Sequence, residues 1–162
     1  MTVYTSAGMK VFIGSTKAQK ITDFVFGDFN AEVWTEIREV EGAGQAGDTS
    51  EAVTFTALSD SRTRSLKGPR SAGTMELVCG IDAADAGQLA AIAAEKTPHD
   101  YAFKLVFNDA PPGGTPSERY FIAKVMSQTE QFDQANSVMK LNISLGINSN
   151  IVRVAAAPAS GG

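Results

Sequence analysis

The stretch SVMKLNISLGI, residues 137–147, alternates along its whole length. Met139, Leu141, Ile143, Leu145 and Ile147 fall on one side, and Val138, Lys140, Asn142 and Ser144 on the other. A period of two marks a strand with one face on a core and the other toward water. Upstream, residues 118–127 place Tyr120, Ile122 and Met126 on one face and Phe121, Ala123 and Val125 on the other, so this strand is expected to be buried on both sides. Residues 100–107 put Tyr101, Phe103, Leu105 and Phe107 on one face. Between these two runs, NDAPPGGTPS at 108–117 has the proline and glycine chemistry of a turn joining adjacent antiparallel strands.

Further upstream the β signal continues. Residues 74–79 (TMELVC) and 53–58 (VTFTAL) alternate or are rich in β-branched and aromatic side chains. Residues 10–14 form a short β-like run. Residues 32–39 alternate, with Val33, Thr35 and Ile37 opposed to Glu32, Trp34, Glu36 and Arg38.

One segment departs from this period. Residues 82–96 (DAADAGQLAAIAAEK) predict a helix with Asp82 as N-cap, Asp85 in the first turn and an apolar stripe of Leu89, Ile92 and Ala93 leading to Lys96. Pro98 ends it. Gly87 costs about 1 kcal/mol against alanine, so the helix is expected to need tertiary packing. Strands on both sides of a single helix predict a mainly β fold: a β-sandwich or barrel-like domain over residues 1–154, with one flanking α-helix and long loops. Residues 155–162 (AAAPASGG) read as a flexible tail.

The chain's 162 residues suffice for one core. Its net charge of -4 lacks the basic surface of a phosphate-gripping protein. No apolar run approaches the roughly 20 residues that span a bilayer, and residues 1–10 do not read as a signal peptide. The single cysteine, Cys79, permits no intrachain disulfide and reads as a small buried hydrophobe.

Catalytic chemistry is not signalled. His99 is the only histidine and follows Pro98 at the helix exit, so neither a zinc site nor a Ser-His-Asp arrangement can be assembled from local motifs. Residues 42–47 (GAGQAG) mimic a phosphate loop but lack its Lys-Ser/Thr pair and following helix. No metal or cofactor is expected, and an enzyme is the least favoured class.

Charge, by contrast, is sorted. Residues 28–51 sum to -6 and residues 59–71 to +3. These segments read as two long loops, EGAGQAGDTSE (41–51) and SDSRTRSLKGPRS (59–71), on either side of the 53–58 strand. The plain reading is two solvated surfaces of opposite sign. The sharper one is a head-to-tail contact in which the basic loop of one copy meets an acidic patch on the next. Its candidates are Glu41, Asp48 and Glu51 against Arg62, Arg64, Lys67 and Arg70, and the arginine excess favours interface pairing.

Four segments in order, TEIREVEG (35–42), residues 47–80, residues 101–127 and VMKLNISLGINSNIVRV (138–154), resemble the major tail tube proteins of long-tailed, non-contractile bacteriophages. The resemblance implies a β-sandwich with a flanking helix, six-membered rings and stacking into a hollow tube through which DNA passes. It further implies a tape-measure protein and terminator and tip proteins as partners, and a place in the virion after assembly in the host cytoplasm. By position, residues 41–51 and 59–71 become inter-ring loops, residues 82–96 the outer helix, and Lys140, Asn142 and Ser144 lumen residues. The tubes of related bacterial injection systems share the fold and form one alternative. A virion-displayed binding module is another, and it requires Trp34, the only tryptophan, as an exposed platform.

Overall fold

The computed structural model describes residues 3–59 and 61–159. In chain order they form β1 (Lys10–Thr16), a 3₁₀ turn (Phe26–Phe29), β2 (Thr35–Ile37), β3 (Val40–Gly42), β4 (Thr49–Thr56), β5 (Thr63–Ser71), β6 (Thr74–Gly80), α1 (Ala86–Glu95), β7 (Tyr101–Val106), β8 (Glu118–Gln131), β9 (Lys140–Ile147) and β10 (Val152–Val154). Eight strands make one antiparallel sheet in the order β2-β1-β7-β8-β9-β6-β3, with β10 also paired to β8. The remaining two, β4 and β5, pair only with each other.

This order forces the sheet to close on itself. β2 and β3 lie at opposite edges, yet only Arg38 and Glu39 separate them in the chain. At no more than about 3.6 Å per residue, the two edges must come within roughly 11 Å of each other. Glu39 turns this corner with a left-handed φ of 59°. Its carbonyl accepts the Gly80 N–H at 2.8 Å.

The enclosed core draws on both halves of the curled sheet. Val11, Ile13, Phe103 and Leu105 meet Met75, Leu77, Cys79, Leu141, Ile143 and Leu145 in one buried cluster, and Phe103 stacks on Phe121. β8 spans the halves: its first residues pair with β7 and its last with β9. As expected, both its faces are buried over 120–123. Behind it lies a second, aromatic cluster of Phe24, Phe29, Tyr120 and Ile122. The expected turn over 108–117 closes the β7–β8 hairpin, with Phe107 N–H donating to Ser117 O at 2.9 Å.

Several expectations need correction. The helix starts at Ala86 with Asp85, not Asp82, as its cap. Its buried side is Gly87, Gln88, Ala91 and Ala94, whereas Leu89 is exposed. The packing is too close for large side chains: a Cβ on Gly87 would lie 2.1 Å from the Glu36 carbonyl oxygen. Residues 32–39 form a strand only over Thr35–Ile37, and Val33 is exposed. Met126 and Met139 are also exposed instead of core-facing. The first sits at a bulge in β8 and the second lies before β9 begins.

The second supposed loop is largely strand, and the first is partly so. Residues 40–42 are β3, residues 49–51 open β4, and residues 63–71 are β5. The strand expected at 53–58 is therefore one leg of a hairpin. Within residues 155–159, Ala157 bridges to Thr115 and the Ala156 N–H donates to Ser117 Oγ at 3.1 Å. Asp60 of the second loop and Ser160, Gly161 and Gly162 of the tail lie outside the described residues, as do Met1 and Thr2.

Candidate assembly surfaces

Three surfaces remain once the core is accounted for. The first is the β4–β5 hairpin, here called the arm. Every residue of β4 is exposed, as is all of β5 except Gly68. Register places Val53 opposite Leu66 and Phe55 opposite Arg64 on one face, with Thr54 opposite Ser65 and Thr56 opposite Thr63 on the other. One face is thus apolar with an arginine, and the other is hydroxyl-rich, including a Thr56–Thr63 hydroxyl pair at 2.9 Å. Phe55 is 56% exposed and Leu66 59%. An isolated two-stranded ribbon is at best marginally stable in water, so this arm lacks the covering layer that would hold it.

The expected acid and base partners are distributed differently from the sequence reading. Arg70 pairs with Asp48 inside the subunit, at the root of the arm. Glu51 lies at the bulge between Ser50 and Ala52, on the same ribbon as Lys67, which faces Ala52. Arg64 lies on β5, and Arg62 precedes it near the tip. Glu41 belongs to β3 and pairs with Lys140 at 2.9 Å. The basic segment is therefore mostly one leg of the arm, whereas the acidic segment 41–51 gives only residues 49–51 to the other leg.

The second surface lies at the far end of the same sheet. The arm leaves the body beside Thr74, which pairs with Gly146. Gly44 crosses close over β6 on the way, and a Cβ there would come within 2.9 Å of the Glu76 carbonyl oxygen. At the other end, Gly80 pairs with Lys140 and Lys140 with Gln131. Seven residues of β6 separate the two ends, about 20 Å at strand rise. Around the far end stand Phe132 (56% exposed), Val138 (67% exposed) and Met139. Glu39, Glu41, Asp133 and Val138 line an open groove of about 480 Å³ there. Sequence reasoning missed Phe132 and placed Met139 in the core. The available signal was three large apolar residues beside a polar FDQANS loop.

The third surface is the outward side of β6, β9 and the end of β8, where the structure brings together the suggested lumen residues. Ser144 Oγ donates to Glu76 at 2.9 Å, Asn142 Nδ2 donates to Gln131 at 3.2 Å, and Lys140 is neutralised by Glu41. The face is polar and internally paired.

Trp34 does not form a platform. Its ring packs on Phe29 and Tyr120, with the Lys104 ammonium 5.1 Å from its centroid. Burial there holds the Lys104 pKa below the usual lysine range. Cys79 is buried, and desolvation, reinforced by Asp85, pushes its thiol up to about 11. Asp109 accepts from both the hydroxyl and the backbone N–H of Ser117, which lowers its pKa. Among the described residues no group of three or more His, Cys, Asp or Glu side chains gathers as a metal site, and no helix is long and apolar enough to cross a membrane.

Neither a protein-family model nor a curated protein matches the chain. Solved structures do. The SPP1 tail tube is similar with a TM-score of 0.58 at 16% identity, covering 91% of this chain and 76% of that one. A chain in the tail of an empty gene transfer agent particle, treated with C6 symmetry, gives 0.61 at 13% identity, covering 94% and 100%. A chain of the sheath/tube terminator of an extracellular contractile injection system gives 0.66 at 10% identity, covering 96% and 99%. The curled sheet with its flanking helix is the fold of tail tube and injection-tube proteins.

Proposed function

We propose that this chain is the repeating structural subunit of a tube, stacked head to tail, and not an enzyme. The observation that carries the reading is the arm: an amphipathic ribbon left uncovered at one end of a body that is otherwise well packed. Heterologous contacts of this kind close into rings or run on as filaments. The tail tube fold supports the same conclusion, as does the ordered resemblance of residues 35–42, 47–80, 101–127 and 138–154 to tube proteins of non-contractile phages.

Within this reading the tube belongs to a phage tail, is built of six-membered rings and surrounds a tape-measure protein. The terminator and tip proteins close its ends, and DNA passes through it. The polar face bearing Lys140, Asn142 and Ser144 lines the lumen. Its cation Lys140 is already paired with Glu41, which suits a wall that must not hold phosphates, since each phosphate contact adds affinity. The binding-module alternative loses its support, because Trp34 is half-buried against Phe29 and Tyr120.

Sedimentation of the purified protein at rising concentration, followed by negative-stain microscopy, tests the proposal. Rings or hollow tubes are expected. A monomer at every concentration, in protein that is folded by circular dichroism, would overturn it.

A further inference from the structure

We propose that Arg119 and Arg153 form a binding site for a small oxyanion of the phosphate class, in a cavity that they line together with the segment leading into β4. The proposal goes beyond the tube reading and does not depend on it.

Strand register sets the pair. Arg153 of β10 lies directly opposite Arg119 of β8, and Leu105 of β7 lies opposite Arg119 on its other side. Residues directly opposite in antiparallel strands share a face, so both arginines rise from the side on which Leu105 joins the enclosed core. The Arg119 guanidinium lies 4.6 Å from the centroid of the Phe107 ring, which itself packs on that core. Like charges directly opposite each other destabilise a sheet. Burial, and after it the Arg153 charge, hold the Arg119 pKa below the usual arginine range. The fold thus keeps a half-buried cation beside a second one.

Among the described residues no carboxylate stands at ion-pair distance from either guanidinium. The carboxylates of this region are engaged elsewhere. Asp109 accepts from the Ser117 hydroxyl and N–H, Glu118 accepts from the Tyr120 hydroxyl, and Asp48 pairs with Arg70. The Arg119 guanidinium donates to the carbonyl of its neighbour Glu118 at 2.9 Å, and the Arg153 guanidinium has no acceptor among the described residues. Most of the ten N–H donors that two guanidinium forks carry are left for a ligand.

The cavity is about 280 Å³, and Ala46, Gly47, Asp48 and Ile151 complete its lining. Nothing lies within 4 Å of where a Cβ on Gly47 would stand, so the space beside that backbone is open. The N–H groups of Ala46 and Gly47 donate to no acceptor among the described residues. Guanidinium forks match the oxygens of phosphate in paired hydrogen bonds. A phosphate group carries about -1.5 to -2 charges near neutral pH, which answers two cations. Bound between them, it would cancel their repulsion and tie residues 46–48, at the root of the arm, to β8 and β10.

The test is isothermal titration calorimetry of the purified protein with sodium phosphate, against sodium chloride at equal ionic strength and neutral pH. Arg153→Gln is the comparison; the position is exposed, and circular dichroism checks that the variant is folded. The unmodified protein should bind phosphate saturably, one per chain, and Arg153→Gln should bind it at least tenfold more weakly. Sulfate should compete with phosphate, and acetate should not at the same concentration. Thermal unfolding gives a second readout. Phosphate strengthens burial in any protein by exclusion from its surface, so the expected signal is a rise in Tm that saturates in the unmodified protein and exceeds that of Arg153→Gln. Equal responses of the two proteins, or no saturable binding, would overturn the site. Acetate binding as tightly as phosphate would overturn its assignment to the phosphate class.

Discussion

Val53 and Leu66 face each other across the arm, and among the described residues neither joins a buried cluster. Buried side chains elsewhere in the molecule find partners in one of two clusters. Among the described residues no side chain of β4 or β5 joins either cluster, and in the proposed assembly the arm's stability depends on what covers it.

The first prediction separates assembly from folding at this point. Val53→Ser combined with Leu66→Ser removes apolar side chains that the monomer leaves about half exposed. Thermal unfolding of the monomer should move by no more than about 0.5 kcal/mol, as for surface substitutions generally. Assembly measured by light scattering should be lost or shifted to at least tenfold higher concentration.

A second prediction concerns Gly87. Helix propensity alone makes Gly87→Ala stabilising by about 1 kcal/mol. The Glu36 carbonyl lies where the new Cβ must go, 2.1 Å away. The helix would have to lift from β2, and overpacking of this kind costs about 1–3 kcal/mol or more. Denaturant unfolding should show net destabilisation, against the propensity scale.

Gln88 gives a third. Its buried amide accepts from the Asp82 N–H at 3.0 Å and donates to the Arg38 and Gly80 carbonyls at 3.0 and 2.9 Å. Gln88→Leu keeps the volume and orphans three backbone groups at the corner where the sheet closes. An unsatisfied buried group costs about 1–3 kcal/mol, so the variant should lose at least about 2 kcal/mol in urea unfolding.

Cys79 yields a pH dependence. Its thiol pKa is raised from 9.0 to about 11 in the folded protein. The unfolded chain therefore releases this proton first as pH rises. The resulting stability is complete below pH 9 and is lost between about 9 and 11. Cys79→Ala should be less stable at neutral pH because of the cavity, yet its stability should fall less steeply across that interval. In the native protein the thiol should resist maleimide at neutral pH and react once unfolded.

How far the fold could be read from the chain depended on where the period of two stayed inside the core. Leu141, Ile143, Leu145 and Ile147 are buried as their alternation implies. The pattern misled where a strand outran its cover. Met139 continues the same alternation one step beyond the sheet's end, and Met126 falls at a bulge, so both emerge into water. The helix was legible as a helix, but its buried side was not. Close approach to Glu36 favours Gly87, Ala91 and Ala94 over the larger Leu89, and size alone cannot reveal a neighbour's distance. The arm was misread because glycine, proline and charges in residues 59–71 look like loop chemistry, and no sequence rule reports that a strand has only one partner. Charge sorting marks segments that partly fold as the arm, but it does not show their pairing. Asp48 and Arg70 answer each other within the subunit, while the far-end patch, marked only by Phe132, Val138 and Met139, gave no periodic signal.

An axial contact through the β4–β5 ribbon can be seen or refuted in a cryo-electron microscopy map of the assembled protein. The map should show the β4–β5 ribbon of each subunit lying on a neighbouring subunit, with Phe55 and Leu66 out of solvent. A tube in which that ribbon projects into solvent, or folds back on its own subunit, would contradict it.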